Sequence, residues 1–160
     1  MLKKLIFVLF LIIFLSSFAY AADADLNNSE LKINVELNDL IVKSNEELIV
    51  DIELLNNSQE DIVLNFSSGQ SYDIYIKNWQ KEVIYRWSAD KIFTQAFKEI
   101  TIEAGKRQSF QEKIAVHQFR AGVYFLEVEI KSLEKEIPSS ERIFFLSPAQ
   151  EIRSLLKIFE

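Results

Sequence analysis

The chain of 160 residues has no cysteine, three glycines, two prolines and a single histidine. Without cysteine it can form no disulfide, no thiol nucleophile and no thiolate metal site. One histidine cannot supply the several ligands of a zinc site, and nothing in the sequence nominates partners that would make His117 part of a catalytic triad. Glycine-rich phosphate loops and acidic calcium loops are missing as well. We therefore predict that the protein is not an enzyme and holds no metal or cofactor.

Basic residues are also in the minority, with 18 Lys and Arg against 24 Asp and Glu, a net charge of −6. A negative surface repels phosphate backbones, so nucleic acid is not an expected partner. The same surface can attract a basic partner, or it can do no more than keep a domain soluble.

The longest apolar run lies at the N-terminus, where two lysines precede Leu5–Leu15 and the triplet Ala19-Tyr20-Ala21 follows. This order predicts a signal peptide over residues 1–21, cleaved after Ala21, and hence a periplasmic or extracellular protein with no membrane attachment in its mature form. The alternative is an uncleaved anchor, but the run of 11 residues is shorter than the roughly 20 that a spanning helix needs. Cleavage removes two basic residues, leaving 16 against 24 acidic ones and a net charge of −8.

Residues 22–30 are small and polar and read as a flexible leader, after which apolar and polar residues alternate. A period of two is typical of strands with one face in water. About eight or nine such segments, with turns and no long helical pattern between them, predict an all-β fold. We expect an immunoglobulin-like antiparallel β-sandwich over residues 31–146, with Tyr124 in a tyrosine corner. Gly69 lies in a turn where a positive φ would cost a glycine little.

The tail, residues 147–160, has a different pattern. Ser147 and Pro148 suit a helix start, and four apolar residues follow at helical spacing. They are Ile152, Leu155, Leu156 and Phe159. We predict a short amphipathic C-terminal helix whose apolar face docks on the sandwich or, alternatively, binds a partner.

The stretch YRWSADKIFTQAF, Tyr85–Phe97, interrupts the alternation. It can be a corner in which Trp87 and Phe93 fill the end of the sandwich, or a surface that meets another protein. The two interpretations are compatible, because packed aromatic side chains can fix a loop whose polar residues face outward.

Several short motifs follow one another in order. They are Phe66-Ser67-Ser68-Gly69-Gln70, Tyr72-Asp73, Arg86-Trp87-Ser88-Ala89-Asp90-Lys91, Phe93-Thr94-Gln95, Ala104-Gly105 and Gly122-x-Tyr124. Together they resemble the intracellular proteinase inhibitor family called BsuPI. The resemblance covers about 90 to 100 residues, from about Leu40 to Ile130, and it implies a β-sandwich that inhibits a serine protease. Two features depart from the family: the export signal, and the turn NWQKE, which lacks the glycine expected there.

The resemblance implies that one or two loops enter a protease cleft. Ser67–Ser71 and Ser88–Gln95 are the candidate segments, with Lys91 suited to a trypsin-like pocket and Phe93 to an apolar one. The candidate partner-binding residues are Ser67, Ser68, Gln70, Ser88, Asp90, Lys91, Phe93 and Gln95. The alternative function is a structural or adhesive β-sandwich module of the cell envelope with no protease target.

Overall fold

The computed structural model describes residues 30–133 and 137–149. These residues form ten strands and no helix. The strands are β1 (Leu31–Leu37), β2 (Ile41–Lys43), β3 (Glu47–Asn56), β4 (Ile62–Phe66), β5 (Tyr72–Lys77), β6 (Val83–Arg86), β7 (Lys98–Ile102), β8 (Arg107–Ala115), β9 (Gly122–Ile130) and β10 (Ser140–Ser147). The all-β prediction is confirmed for this part of the chain.

The strands form three sheets with the orders β1-β3-β8, β2-β10-β9-β5-β6 and β4-β7. The pairings are antiparallel, except that β2 runs parallel to β10, with Ile41 opposite Phe145. This parallel pairing differs from the prediction, which was a sandwich with antiparallel strands throughout. Strand β2 has only three residues, too few for alternation to be visible in the sequence.

One hydrophobic core takes the inward residues of all three sheets. Leu48, Val50, Ile52 and Leu54 of β3 are each at most 1% exposed, whereas the residues between them are half-buried or exposed. Burial of one large apolar side chain stabilises a fold by about 1.5–3 kcal/mol. A sandwich-like arrangement with a shared interior therefore suffices to stabilise a domain that has no disulfides.

The tyrosine corner is confirmed. Tyr124, near the start of β9, donates a hydrogen bond from its hydroxyl to the carbonyl oxygen of Arg120 over 2.6 Å. Its ring stacks on Phe144 of the neighbouring strand β10, with centroids 5.5 Å apart. The bond holds the turn before β9 against the strand that follows it.

Some predicted elements fall outside the described residues: the signal peptide over 1–21, most of the leader, and the greater part of the C-terminal helix. Ser147, expected to cap that helix, is the last residue of β10, and its hydroxyl donates to the carbonyl oxygen of Val42. Among the described residues, no helix has the length and apolar character needed to cross a membrane.

Two turn residues differ from expectation. Gly69 does not have a positive φ. Instead it permits a close approach, because a Cβ at this position would lie 2.6 Å from Oγ1 of Thr94. Lys81, in the turn that lacks the expected glycine, has a φ of 66°, a conformation that costs most side chains free energy.

Candidate functional site

The structure brings the two candidate segments together. The backbone N–H of Gly69 donates to the carbonyl oxygen of Thr94 over 2.9 Å. Only a residue without a Cβ fits this approach. The Ser67–Ser71 turn therefore supports the end of the second segment. We call this second segment, Ser88–Gln95, the corner loop.

A buried carboxylate holds the beginning of the corner loop. Asp73 of β5, whose side chain is 0% exposed, accepts a hydrogen bond from Nε of Arg86 over 2.7 Å. It also accepts bonds from the Ser88 hydroxyl over 2.7 Å and from the Ser88 backbone N–H over 3.2 Å. Burial raises the pKa of Asp73, but the hydrogen bonds from Ser88 and Arg86, with the charge of Arg86, outweigh it and hold the pKa below its usual value. Asp73 is thus charged at neutral pH and anchors the loop to the sheet.

Trp87, one residue before the corner loop, belongs to the core. Its ring lies 4.9 Å from that of Tyr72, centroid to centroid. Both side chains donate to the carboxylate of Glu112, Trp87 through Nε1 over 2.9 Å and Tyr72 through its hydroxyl over 2.5 Å. Burial and the bond to Glu112 raise the pKa of Tyr72, so the phenol stays protonated. The indole is therefore a fixed platform, as the structural interpretation of this corner expected.

Two side chains of the corner loop rest on that platform. Nζ of Lys91 lies 4.4 Å from the centroid of the Trp87 ring. The ring of Phe93 lies 5.8 Å from it and is half-buried. Ile92, between them, is 100% exposed. The two residues assigned to a protease pocket are therefore engaged within the domain, and their neighbour is the one that projects.

The remaining candidates divide into outward and inward side chains. Ser67, Asp90 and Gln95 are exposed. Ser68 is half-buried and accepts a bond from the N–H of Gln70 over 3.2 Å, and the amide of Gln70 donates to the carbonyl oxygen of Tyr72 over 3.1 Å. The hydroxyl of Ser88 is bonded to Asp73. Ser68, Gln70 and Ser88 therefore serve mainly to order the surface.

Sequence reasoning missed the prominence of Ile92 and the anchoring role of Asp73. Ile92 lies in a run without alternation, so periodicity does not separate it from a core residue. The sequence did hold a signal for Asp73, because it is an acidic residue beside the core tyrosine of a strand. Its hydrogen-bond partners, however, are 13 and 15 residues away along the chain.

His117 and the two carboxylates on the outer face of β9, Glu127 and Glu129, have ordinary surroundings. His117 is exposed in the turn between β8 and β9. Glu127 pairs with Lys77, and Glu129 pairs with Lys131 over 2.6 Å. The hydrogen bond from Lys77 lowers the pKa of Glu127. These carboxylates are neutralised by neighbouring lysines, as expected of charges on the outer face of a sheet.

Comparison with solved structures gives weak likenesses to parts of larger proteins. They include the β-glucosidase EmGH1 of Erythrobacter marinus (TM-score 0.45, 12% identity), a β-glucosidase of Listeria innocua (0.45, 14%) and the alkylpurine DNA glycosylase AlkC of Pseudomonas fluorescens (0.46, 14%). The matches cover 73%, 74% and 75% of this chain, but only 15%, 16% and 31% of those chains. Likenesses this weak bear on neither fold nor activity.

A comparison with curated proteins finds no match. The family comparison does: residues 35–135, more than half of the chain, match the model of BsuPI, described as intracellular proteinase inhibitor. That family is non-catalytic, and its description implies a proteinase as partner. The matched range contains all eight candidate residues, Asp73 and Trp87. The chain therefore belongs to the BsuPI family of proteinase inhibitors.

Proposed function

We propose that the protein is an exported, non-catalytic inhibitor of a serine protease and that it acts through the corner loop. The observation that carries the proposal is the arrangement of Lys91–Phe93, in which Lys91 and the half-buried Phe93 pack on the buried Trp87 and Ile92 between them is fully exposed. The family match supplies the proteinase. The serine class and the choice of loop are our own additions.

A loop held in this way suits inhibition on energetic grounds. Binding costs free energy when side chains and loops must be ordered, about 0.5–1.5 kcal/mol for each immobilised side chain. The corner loop is fixed at its start by Asp73, in its middle by Trp87 and near its end by Gly69. A partner therefore has to order few groups of the loop when it binds. The small free-energy cost favours tight binding to a rigid cleft.

We also propose that the sandwich is of immunoglobulin-like type. The order β1-β3-β8 corresponds to strands A, B and E, and β10-β9-β5-β6 corresponds to G, F, C and C′. The tyrosine corner then falls at the start of strand F, where it belongs. The pairing of β4 with β7 departs from that scheme. An experimental structure with a different order of β10, β9 and β5 would contradict the assignment.

The proposed export depends on the sequence of residues 1–21 alone. The word intracellular in the family description runs against it. Expression of the full chain in a bacterium, followed by N-terminal sequencing of the periplasmic fraction, tests it. A chain that begins at Ala22 is the expected product, and an intact N-terminus in the cytoplasm would refute export.

The inhibition itself is tested by titrating the chain from Ala22 against trypsin, chymotrypsin, elastase and subtilisin. A cysteine protease and a metalloprotease serve as controls. We expect stoichiometric loss of activity of at least one serine protease and of neither control. Full activity of every serine protease, with a chain shown to be folded by its unfolding transition, would refute the proposal.

The second candidate, a structural module of the cell envelope, is favoured by a different surface. The outer face of β2, β10 and β9 exposes a row of neighbouring apolar side chains, Ile41, Phe145 and Val123. Contiguous apolar surface of this kind marks interaction sites. If the protein is a structural module of the cell envelope, Phe145→Ser abolishes its retention in an envelope fraction, while Lys91→Ser leaves that retention unchanged.

A further inference from the structure

We infer that Ile92 is the side chain that enters the primary specificity pocket of the target, and that this pocket is apolar. The inference deepens the proposed function and rests on it. Its basis is the arrangement of three consecutive residues, in which the first and third pack on one indole and the second is fully exposed.

The neighbours of Ile92 are poorly placed for the same role. Lys91 would have to leave the face of Trp87 and give up its cation–π contact with that ring. Phe93 would have to leave a half-buried position against the same ring. Ile92 gives up nothing, because water already surrounds its whole side chain. Its transfer into an apolar pocket therefore gains the free energy of burying the whole side chain.

The backbone of the tip is also available to a partner. Among the residues that the structure describes, none exchanges a hydrogen bond with the backbone of Ile92, whereas Lys91 donates its N–H to the carbonyl oxygen of Ser88 over 3.2 Å. The free N–H and C=O groups of Ile92 can bond the backbone of a partner while the side chain fills a pocket.

The chemistry of Ile92 decides between pocket types. The trypsin pocket contains a carboxylate that demands a cation, whereas those of chymotrypsin and elastase are apolar. A β-branched hydrocarbon side chain leaves a buried carboxylate unpaired, which is costly. The target therefore belongs to the class that cleaves after uncharged residues.

The test uses the chain from Ala22 and inhibition of trypsin, chymotrypsin and elastase. We expect the wild type to inhibit chymotrypsin or elastase and to leave trypsin active. Ile92→Asp should weaken that inhibition at least about 100-fold, as for a central interface residue. Leu40→Asp, which changes an exposed aliphatic residue beside β2 at the opposite edge of the five-stranded sheet, should not change it. Ile92→Arg should gain inhibition of trypsin.

The outcomes separate this inference from the proposed function. If Ile92→Asp inhibits as well as the wild type, the inference is wrong and inhibition stands. If the wild type inhibits trypsin alone and Lys91→Ala abolishes the effect, Lys91 is the specificity residue and the inference is again wrong. If no serine protease is inhibited, the proposed function fails and takes the inference with it. Because Ile92 is fully exposed, its variants should share the unfolding midpoint of the wild type.

Discussion

At the scale of single residues, Lys81 is under conformational strain. The side-chain oxygen of Asn78 accepts bonds from the N–H groups of Gln80 and Glu82, over 2.9 and 3.0 Å. This tight turn forces Lys81 into a left-handed conformation. Nζ of Lys81 compensates in part, through a 2.7 Å bond to Glu141 and a position over the ring of Phe125.

We predict that Lys81→Gly is more stable than Lys81→Ala by about 1 kcal/mol, because both lose the side-chain contacts and only glycine relieves the strain. Urea unfolding of the two variants at neutral pH measures the difference. A result in which the alanine variant equals or exceeds the glycine variant would contradict a left-handed Lys81.

At the scale of elements, strand β5 organises the candidate site. Its inward residues Tyr72, Ile74 and Ile76 are core, while Asp73 reaches across to the end of β6 and the first residue of the corner loop. A charge buried with two hydrogen-bonding partners stabilises only while it is ionised. The order of the loop is therefore linked to the protonation of one carboxyl group.

This linkage has a definite sign. The pKa of Asp73 is lower in the folded protein than its usual value of 3.8, so its contribution is fully present above about pH 4 and is lost as the pH falls through the folded value. We predict that Asp73→Asn lowers the free energy of unfolding by about 1–3 kcal/mol at pH 7. The variant should also lose less stability than the wild type between about pH 4 and pH 2.

The control for this prediction is Asp90→Asn, which changes an exposed aspartate within the corner loop. It should stay within about 0.5 kcal/mol of the wild type at neutral pH. Urea unfolding followed by tryptophan fluorescence at a series of pH values gives both results. Parallel pH profiles for Asp73→Asn and the wild type would show that Asp73 does not anchor the loop.

Local pattern predicts the strands but not the long-range partners. Alternation was enough to place the inward residues of β3, β5 and β9, because one face of each is in water and the other in the core. It could not reveal β2, which is short and defined by its pairing with the last strand.

The candidate site was predictable in the same limited way. The motif residues located the corner, but the orientation of Ser88, Lys91 and Phe93 depends on Asp73 and Trp87, whose roles only the folded structure reveals. Exposure of Ile92 follows from where its neighbours pack, which no local pattern encodes.

At the scale of the whole molecule, Asn56 connects two of the three sheets. It ends β3, and its buried amide donates to the carbonyl oxygen of Ile102 at the end of β7 and to that of Glu60, each over 2.8 Å. Its side-chain oxygen accepts from the N–H and the hydroxyl of Ser58. Removal of the amide would take away the buried bond to the Ile102 carbonyl oxygen and the bonds that order the Ser58–Glu60 turn.

We predict that Asn56→Ala lowers the free energy of unfolding by about 3 kcal/mol, while the adjacent and exposed Asn57→Ala changes it by less than about 0.5 kcal/mol. Thermal and urea unfolding of the pair provide the comparison. Equal stability of the two variants would mean that the Asn56 amide does not contribute to holding β7 against β3.

The parallel pairing of β2 with β10 also has a consequence for how the protein is made. Its partners are about a hundred residues apart, Lys43 opposite Ser147. A nascent chain cannot complete the five-stranded sheet until Ser147 has left the ribosome, so the native state of this domain becomes available only after the whole of β10 has been synthesised. Truncation anywhere before that point yields a product with an open sheet edge, which invites aggregation.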